Sequence, residues 1–273
     1  MEQPLLSPQN GYVFKRIFGD ESNKKVLISL LNAILQIKIR DITFFSQEIP
    51  RKAPLLKNAV LDIVAQLDDE THVDIEMQAV FHKECIDHIL HYWAELFTRQ
   101  PVKGETRYTL KKTISITILG DGKSFFPHAH STYKLMECHS DPMHILIDKE
   151  EFHFIDVGRA EEIAKIESNE KLINWMKFFK SQTREEMKAL AEQDVCIGRA
   201  VQTLEIMSSD ENDVYQAWAR DKFLWDQEVR ERGAEKKGRE EGKIETAKAM
   251  LTEGIAIETI CKITGLDVSD FTE

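Results

Sequence analysis

The side chains best suited to chemistry are Asp62, Glu76 and Gln78, which lie in two runs of alternating apolar and polar residues. Residues 61–67 and 73–78 show this period-two pattern, and an acidic turn separates them. Such alternation is typical of β-strands with one apolar face, so the segment predicts a β-hairpin. We expect the polar face of that hairpin to carry the three side chains.

The register of the hairpin decides whether the two carboxylates meet. If residues 68–70 form a three-residue loop, Leu67 pairs with Thr71 and the numbers of paired residues sum to 138. Asp62 then lies directly opposite Glu76, with Cβ atoms about 4.5–5.5 Å apart. A shift of the register by one residue would place them on opposite faces of the sheet.

Two opposed carboxylates repel each other unless they share a cation, and Mg²⁺ prefers oxygen ligands with water completing its shell. An ion held in this way can activate water and stabilise charge on a phosphate, which is what hydrolysis of a phosphodiester requires. The alternative is an ordinary polar strand face exposed to solvent, because any half-buried hairpin shows the same alternation. Spacing alone leaves both interpretations open.

The elements around the hairpin are predicted from periodicity. Residues 1–36 contain two apolar stripes typical of helices, separated at Gly19 to Ser22. The remaining predicted strands are residues 37–49, 113–119, 131–136 and 144–157, the last broken by a turn near 148–151. The remaining predicted helices are residues 81–98, 169–181, 183–207 and 211–232. This order indicates an α/β fold with a mixed sheet flanked by helices and a helical C-terminal extension.

The C-terminal region has two interpretations. Residues 230–248 carry interspersed charges of both signs without an apolar stripe, which predicts a solvated helix or linker. Residues 249–273 predict two or three short packed helices, which would form either a helix-turn-helix-like DNA-binding unit or a helical cap or oligomerisation element. The second is favoured, because the last helix is acidic and offers no Arg or Lys to a phosphate backbone.

Composition excludes several classes of protein. The chain has 273 residues and a formal net charge of -11, so a generic basic surface for nucleic acid is not expected, although a local basic groove or a metal bridge to phosphate is compatible with it. We expect no membrane span and no signal peptide, because apolar runs are short and the N-terminus lacks a basic segment before an apolar one. Without a signal peptide, the cytoplasm is the simplest expected location. The four cysteines are widely spread and form no C-x-x-C pair, which argues against a disulfide framework and against a cysteine zinc site.

Several segments together carry a resemblance to a known family. They are residues 6–19, 30–35, 61–63, 74–78, Gly104 and Glu105 with Tyr108, residues 250–251 and residues 264–266. In this order and spacing, they resemble the PD-(D/E)xK nuclease superfamily, and within it the bacterial recombination-promoting nuclease and transposase family. The resemblance implies a restriction-endonuclease-like core that cleaves DNA with Mg²⁺ or Mn²⁺, in recombination or in the activity of mobile elements.

The resemblance also implies roles for individual residues. Asp62 and Glu76 match the two acidic metal ligands, and the Met77 carbonyl matches an additional ligand. Gln78 stands where the wider superfamily has its lysine. An amide carries no titratable proton, so Gln78 could orient water or contact the phosphate but could not act as a general base.

We expect the nuclease-like core domain in residues 1–160, a helical region in residues 161–232, and a charged linker with a small helical module in residues 233–273. DNA is the expected partner and a membrane is not. Two active centres would suit the cutting of two strands, so a homodimer is a further expectation.

Two departures from the family motivate a second hypothesis. The family has an aspartate after the opening asparagine, where this chain has Gly11 after Asn10, and His88 replaces an arginine of the following helix. Histidine lacks the fixed charge and the bidentate fork of arginine. The second hypothesis is therefore a degenerate nuclease fold that serves as a DNA-binding or protein-interaction module.

Four residues are auxiliary candidates: Asn10, Lys57, Asp74 and His88. Lys57 could replace the missing motif lysine. It lies an odd number of residues from Asp62, so its side chain would point to the opposite face of the sheet if the strand begins before Lys57. Asp74 shares a face with Glu76 and is either a secondary ligand or, by preference, a residue towards the solvent end of the hairpin.

Overall fold

The fold is taken from a computed structural model of the chain. The structure describes residues 4–45, 48–49, 59–60, 62–79, 81, 83, 85–100, 110–120, 124–139, 142, 144–166 and 169–272. Of the predicted features, Lys57, Leu61 and the segment from Gly104 to Tyr108 lie outside these residues. The chain forms two compact units, residues 1–218 and residues 219–273.

Two helices open the first unit, as the two apolar stripes predict. They are α1 (Gly11–Phe18) and α2 (Lys24–Leu35). The stripe of α1 is fully buried, and Phe18 packs edge-on against Trp175 with ring centroids 5.5 Å apart. Burial of such aromatic side chains contributes most of the energy that holds a helix in place.

Strands and a helix follow in the order β1 (Ile42–Phe44), β2 (Glu48–Ile49), β3 (Ala59–Val60), β4 (Ile63–Leu67), β5 (His72–Gln78), α3 (Cys85–Thr98), β6 (Thr113–Leu119), β7 (His130–Tyr133) and β8 (Glu150–Asp156). Six of the strands form one sheet in the order β1-β4-β5-β6-β8-β7, and β2 pairs with β3. The sheet is mixed, because β5, β6 and β8 run parallel and the other pairs are antiparallel. The predicted mixed sheet flanked by helices is thereby confirmed.

The single strand predicted over residues 37–49 is wrong. It divides into β1 and β2, which belong to different sheets, and residues 37–41 have no regular structure. β7 is also shorter than predicted, because beyond Tyr133 the chain keeps one isolated bridge, between Met136 and Ile145.

The hairpin of β4 and β5 has the predicted register. Ile63 pairs with Ile75 and Val64 with Asp74, and the Leu67 N–H donates to the Thr71 carbonyl at 2.8 Å. These pairings correspond to the three-residue loop at residues 68–70.

The sheet has one apolar face and one mixed face. The apolar face carries Ile63, Ile75 and Ile116 into the main core with α1 and α2. The other face is covered by α3, whose Trp93 packs on Phe152 with ring centroids 5.3 Å apart. The polar side chains of the hairpin therefore lie on the covered face rather than on a solvated one.

Close contact between the ends of β5 and β6 requires a glycine. The Gly120 N–H donates to the Gln78 carbonyl at 2.9 Å, and a Cβ on Gly120 would lie 2.6 Å from the Ala79 carbonyl oxygen. A side chain there would force these two strand ends apart. Gly120 thus fixes the backbone directly behind Gln78.

Helices make up the rest of the chain: α4 (Ala160–Ile166), α5 (Glu170–Lys180), α6 (Arg184–Gln193), α7 (Val195–Ser209), α8 (Glu211–Thr252) and α9 (Ile257–Thr264). The single helix predicted over residues 183–207 is wrong. Asp194 ends α6 and begins α7, where its side chain accepts a hydrogen bond from the Cys196 N–H at 2.7 Å. An aspartate in this position is a preferred N-cap, which explains the break.

In the second unit, the charged residues predicted as a helix or linker form part of α8. After α8 the chain turns at Gly254, whose φ is +78°, and α9 then packs back. Ala247, Ile260 and Phe271 form a small buried core. No helix in the described ranges is long and apolar enough to cross a membrane.

Candidate metal centre

Asp62 lies in a bend immediately before β4 and is 8% exposed. Its Oδ2 accepts a hydrogen bond from the Met77 N–H at 3.0 Å, which holds the carboxylate at the edge of β5. The N–H and C=O of a strand residue point to the same edge of that strand, so the Met77 carbonyl also points towards Asp62. The local geometry therefore brings one carboxylate and one backbone oxygen to the same edge.

Glu76 lies on β5, next to Ile75, which pairs with Ile63 at the start of β4, and it is 6% exposed. Its Oε2 accepts a hydrogen bond from the Gln78 Nε2 at 3.1 Å. Gln78 is two residues along the same strand and therefore lies on the same face. The amide orients the carboxylate without adding charge.

The preferred placement of Asp74 at the solvent end of the hairpin is wrong. Asp74 is only 2% exposed, and its Oδ1 is buried without a hydrogen-bond partner. Like Glu76, it faces α3, which covers this side of the sheet. A buried carboxylate oxygen without a donor is costly, so this face of the hairpin holds uncompensated acidic groups.

The acidic groups shift one another's pKa values upward. Burial and the nearby Asp62 carboxylate raise the pKa of Glu76 to about 7, although the Gln78 hydrogen bond and Lys15 oppose the shift. Burial, followed by the charges of Glu76 and Asp62, raises the pKa of Asp74 well above its usual range. Both shifts have the sign expected for buried carboxylates that lie near one another.

Lys15 is a site residue that the sequence analysis missed. It lies on α1, and its Nζ is 3.3 Å from the Asp62 Oδ1. Its side chain is 29% exposed, so the contact is partly shielded from water. Periodicity marks Lys15 only as a polar residue in an apolar stripe, and no spacing rule links it to the hairpin.

The other auxiliary candidates lie apart from the carboxylates or outside the described residues. Asn10 is the N-cap of α1: its side chain accepts from the Tyr12 N–H at 3.0 Å and donates to the Ala217 carbonyl at 2.9 Å. His88 is exposed on α3, with its ring centroid 6.2 Å from that of Tyr92. Lys57 is not among the described residues.

Tyr92 is a second residue that the sequence analysis missed. It is half-buried on α3, and burial followed by the charges of Glu76 and Asp74 raises the pKa of its hydroxyl. A phenol near two carboxylates can donate a hydrogen bond to either of them. α3 thus adds a polar group to the covered face of the hairpin.

The residues present suit a divalent cation that binds oxygen. Two carboxylates and a carbonyl are the ligand types that Mg²⁺ and Mn²⁺ prefer, and Mg²⁺ usually retains several waters. The Asp74 Oδ1 is buried without a hydrogen-bond partner and the pKa of Glu76 is raised, so the charge of Lys15 alone does not offset the burial of these carboxylates. Within the described residues, no three His, Cys, Asp or Glu side chains converge as a ready-made metal cluster.

Comparison with known proteins identifies the family. A family model described as PD-(D/E)XK nuclease family transposase matches residues 8–234. No curated protein and no solved structure matches the chain significantly. The matched region spans most of the chain and contains α1, the hairpin and α3. The chain belongs to the PD-(D/E)XK nuclease family transposases.

Proposed function

We propose that this chain is a metal-dependent DNA endonuclease that hydrolyses phosphodiester bonds, in recombination or in the activity of mobile DNA. The observation that carries the proposal is the hydrogen bond of 3.0 Å from the Met77 N–H to the Asp62 carboxylate, which holds buried Asp62 next to the strand segment that carries buried Glu76. Membership of a nuclease family supports the same activity.

In this proposal each residue of the hairpin has a separate task. Asp62, Glu76 and the Met77 carbonyl hold the divalent ion, Mg²⁺ or Mn²⁺. When bound, the ion lowers the pKa of a bound water and stabilises negative charge on the phosphate. Gln78 orients Glu76 through the hydrogen bond of 3.1 Å. Since the amide cannot accept a proton, it is not the general base.

The alternative is a catalytically degenerate fold that binds DNA or a protein. Gly11 favours it, because a buried glycine in α1 replaces the acidic residue that the family has there. Exposed His88 favours it as well, because it replaces an arginine. This alternative predicts binding that is indifferent to Asp62→Ala, whereas the nuclease proposal predicts that the substitution removes activity.

The test is the nicking and linearisation of supercoiled plasmid in Mg²⁺, Mn²⁺ or EDTA. We expect cutting by the wild type in the two metals and none in EDTA. Asp62→Ala and Glu76→Ala should each reduce the rate by at least about a hundredfold. Glu192→Gln is a matched control, because it removes an exposed carboxylate from α6.

The outcomes separate the two functions. Cutting that persists in both alanine variants would mean that the activity comes from a contaminant or from another site. If the protein binds DNA but never cuts it in either metal, the degenerate binding module is the correct function. Circular dichroism of each variant confirms that the chain remains folded.

A further inference from the structure

Among the residues that the structure describes, a lysine from a different element lies close to the acidic side chains of the hairpin. Lys15 reaches Asp62 from α1 with a nitrogen–oxygen distance of 3.3 Å, and its charge also acts on Glu76 by lowering the pKa of that carboxyl. The position on β5 that carries a lysine in the wider superfamily holds neutral Gln78 instead. Positive charge therefore enters the site from α1 rather than from β5.

We propose that Lys15 is a cationic residue of this active centre: it neutralises Asp62 before a divalent ion binds, and it contacts the scissile phosphate when DNA is bound. The proposal rests on the nuclease function proposed above and adds a catalytic residue to it. A lysine ammonium is a compact point charge with three donors, and it is a common ligand of phosphate.

The structure holds α1 rigidly enough to aim such a side chain. Phe14 and Ile17, which flank Lys15 on the helix, are fully buried in the main core. At the start of α1, Asn10 donates to the Ala217 carbonyl at 2.9 Å, and the Tyr12 hydroxyl donates to the Asp213 Oδ1 at 2.5 Å. A helix anchored at its start and along its buried stripe positions its side chains with little freedom.

Because Lys15 and a divalent ion are both positive and both act on Asp62, they oppose each other. Removal of the lysine charge should therefore strengthen metal binding while it weakens catalysis. If Lys15 only held Asp62 in position, its removal would weaken metal binding, since a displaced carboxylate is a weaker ligand. The direction of the change in metal affinity thus distinguishes the two roles.

The experiment compares the full chain with Lys15→Met, Lys15→Arg and the control Lys25→Met. Lys25 is exposed on α2, so its substitution changes the net charge by the same amount at a distant position. Mn²⁺ binding is measured by calorimetry without DNA, and kcat and KM are measured with plasmid.

We expect Lys15→Met to bind Mn²⁺ about tenfold more tightly than the wild type. Its kcat should fall by about a hundredfold, which is typical for the loss of a group that stabilises transition-state charge. Lys15→Arg retains the charge and should keep the Mn²⁺ affinity and part of kcat, and Lys25→Met should match the wild type in both.

Equal or weaker Mn²⁺ binding by folded Lys15→Met would overturn the neutralising role. An unchanged kcat for this variant would overturn the phosphate contact. If the wild type does not cut DNA at all, the proposed function fails and the phosphate contact with it, but the Mn²⁺ titration still decides whether Lys15 neutralises Asp62.

Discussion

Glu76 is buried, and burial disfavours the ionised form of its carboxyl group. Its pKa rises from 4.5 to about 7, mainly because it is buried and secondly because Asp62 is near. The folded chain therefore keeps a proton on Glu76 at pH values where the unfolded chain has released it. Without a bound metal, the contribution of Glu76 to the free energy of unfolding falls as the pH rises from about 4.5 to about 7.

Glu76→Gln tests whether ionisation of buried Glu76 destabilises the fold, because glutamine has nearly the same shape and cannot ionise. In metal-free buffer at pH 8, we expect the variant to be more stable than the wild type by on the order of 1–3 kcal/mol. At pH 5 most of the difference should be lost, because Glu76 is then protonated. Thermal unfolding at both pH values measures the effect.

The exposed control Glu192→Gln should be indistinguishable from the wild type at both pH values. A Glu76→Gln protein that is less stable than the wild type at pH 8 would contradict the assignment. It would mean that the Glu76 charge is already compensated in the folded chain.

At this scale the sequence predicted the register of the hairpin but not its surroundings. Alternation and a three-residue loop suffice to predict that Ile63 pairs with Ile75, because both are local properties of one hairpin. The burial of Asp74 depends on α3, which covers the hairpin only in the folded chain. The contact of Lys15 with Asp62 depends on where α1 packs, and residue spacing carries no such information.

α1 matters to the site because it carries Lys15, and Asn10 fixes its start. Asn10→Ala removes the cap and the hydrogen bond to the Ala217 carbonyl, which then keeps only its bond within α8. We expect a loss of about 2 kcal/mol in the free energy of unfolding, about 1 from the cap and about 1 from the hydrogen bond. Urea unfolding of the variant measures it.

Thr183→Ala is the matched substitution, because Thr183 caps α6 at an exposed position. It should cost only about 1 kcal/mol. Equal losses in the two variants would show that the bond from Asn10 to Ala217 contributes nothing, and would remove the anchoring role given to it.

The second unit allows a separate test of α8. Gly233 lies in the exposed part of this helix, and nothing lies within 4 Å of a Cβ placed on it. Gly233→Ala should therefore stabilise that part of the helix by about 0.5–1 kcal/mol. Hydrogen exchange of residues 228–246 should slow in the variant.

Gly254 also has free space around it, but its φ is +78°. Gly254→Ala should consequently destabilise the turn before α9, because an L residue is strained in the left-handed region.

For Gly233→Ala, hydrogen exchange of residues 228–246 that is faster than in the wild type would contradict the continuous helix.

Element prediction was most successful where a single periodic pattern filled the element. Thr113–Leu119 alternates small hydroxyl residues with Ile and ends in Leu, all of them compatible with a buried strand, and β6 has those bounds. The helix predicted over residues 183–207 fails at Asp194, because apolar periodicity continues across a residue that is also a strong cap. α8 is longer than predicted, since charged helices show no apolar stripe.

The sheet order of the whole molecule could not be predicted from the chain. β8 lies between β6 and β7, although β7 comes first in the sequence. This crossing brings His130 and His153 together, with 2.9 Å between the Nε2 of the first and the Nδ1 of the second. Such long-range pairings depend on topology, and local patterns do not encode it.

The net charge of -11 also belongs to this scale, because the proposed substrate, DNA, is an acidic polymer. In the proposed centre Asp62 and Glu76 would hold a divalent ion that offsets part of this negative charge, so the claim that they bind such an ion is central. The family match supports the claim, and the hairpin register supplies its geometry.

The most direct test is an anomalous difference map from crystals of the chain grown with Mn²⁺. The proposal predicts one strong peak about 2.1 Å from a carboxylate oxygen of Asp62 and equally close to a carboxylate oxygen of Glu76, with the Met77 carbonyl as a further ligand. A fully occupied Mn²⁺ elsewhere in the fold, with none between these two carboxylates, would contradict the proposed metal centre.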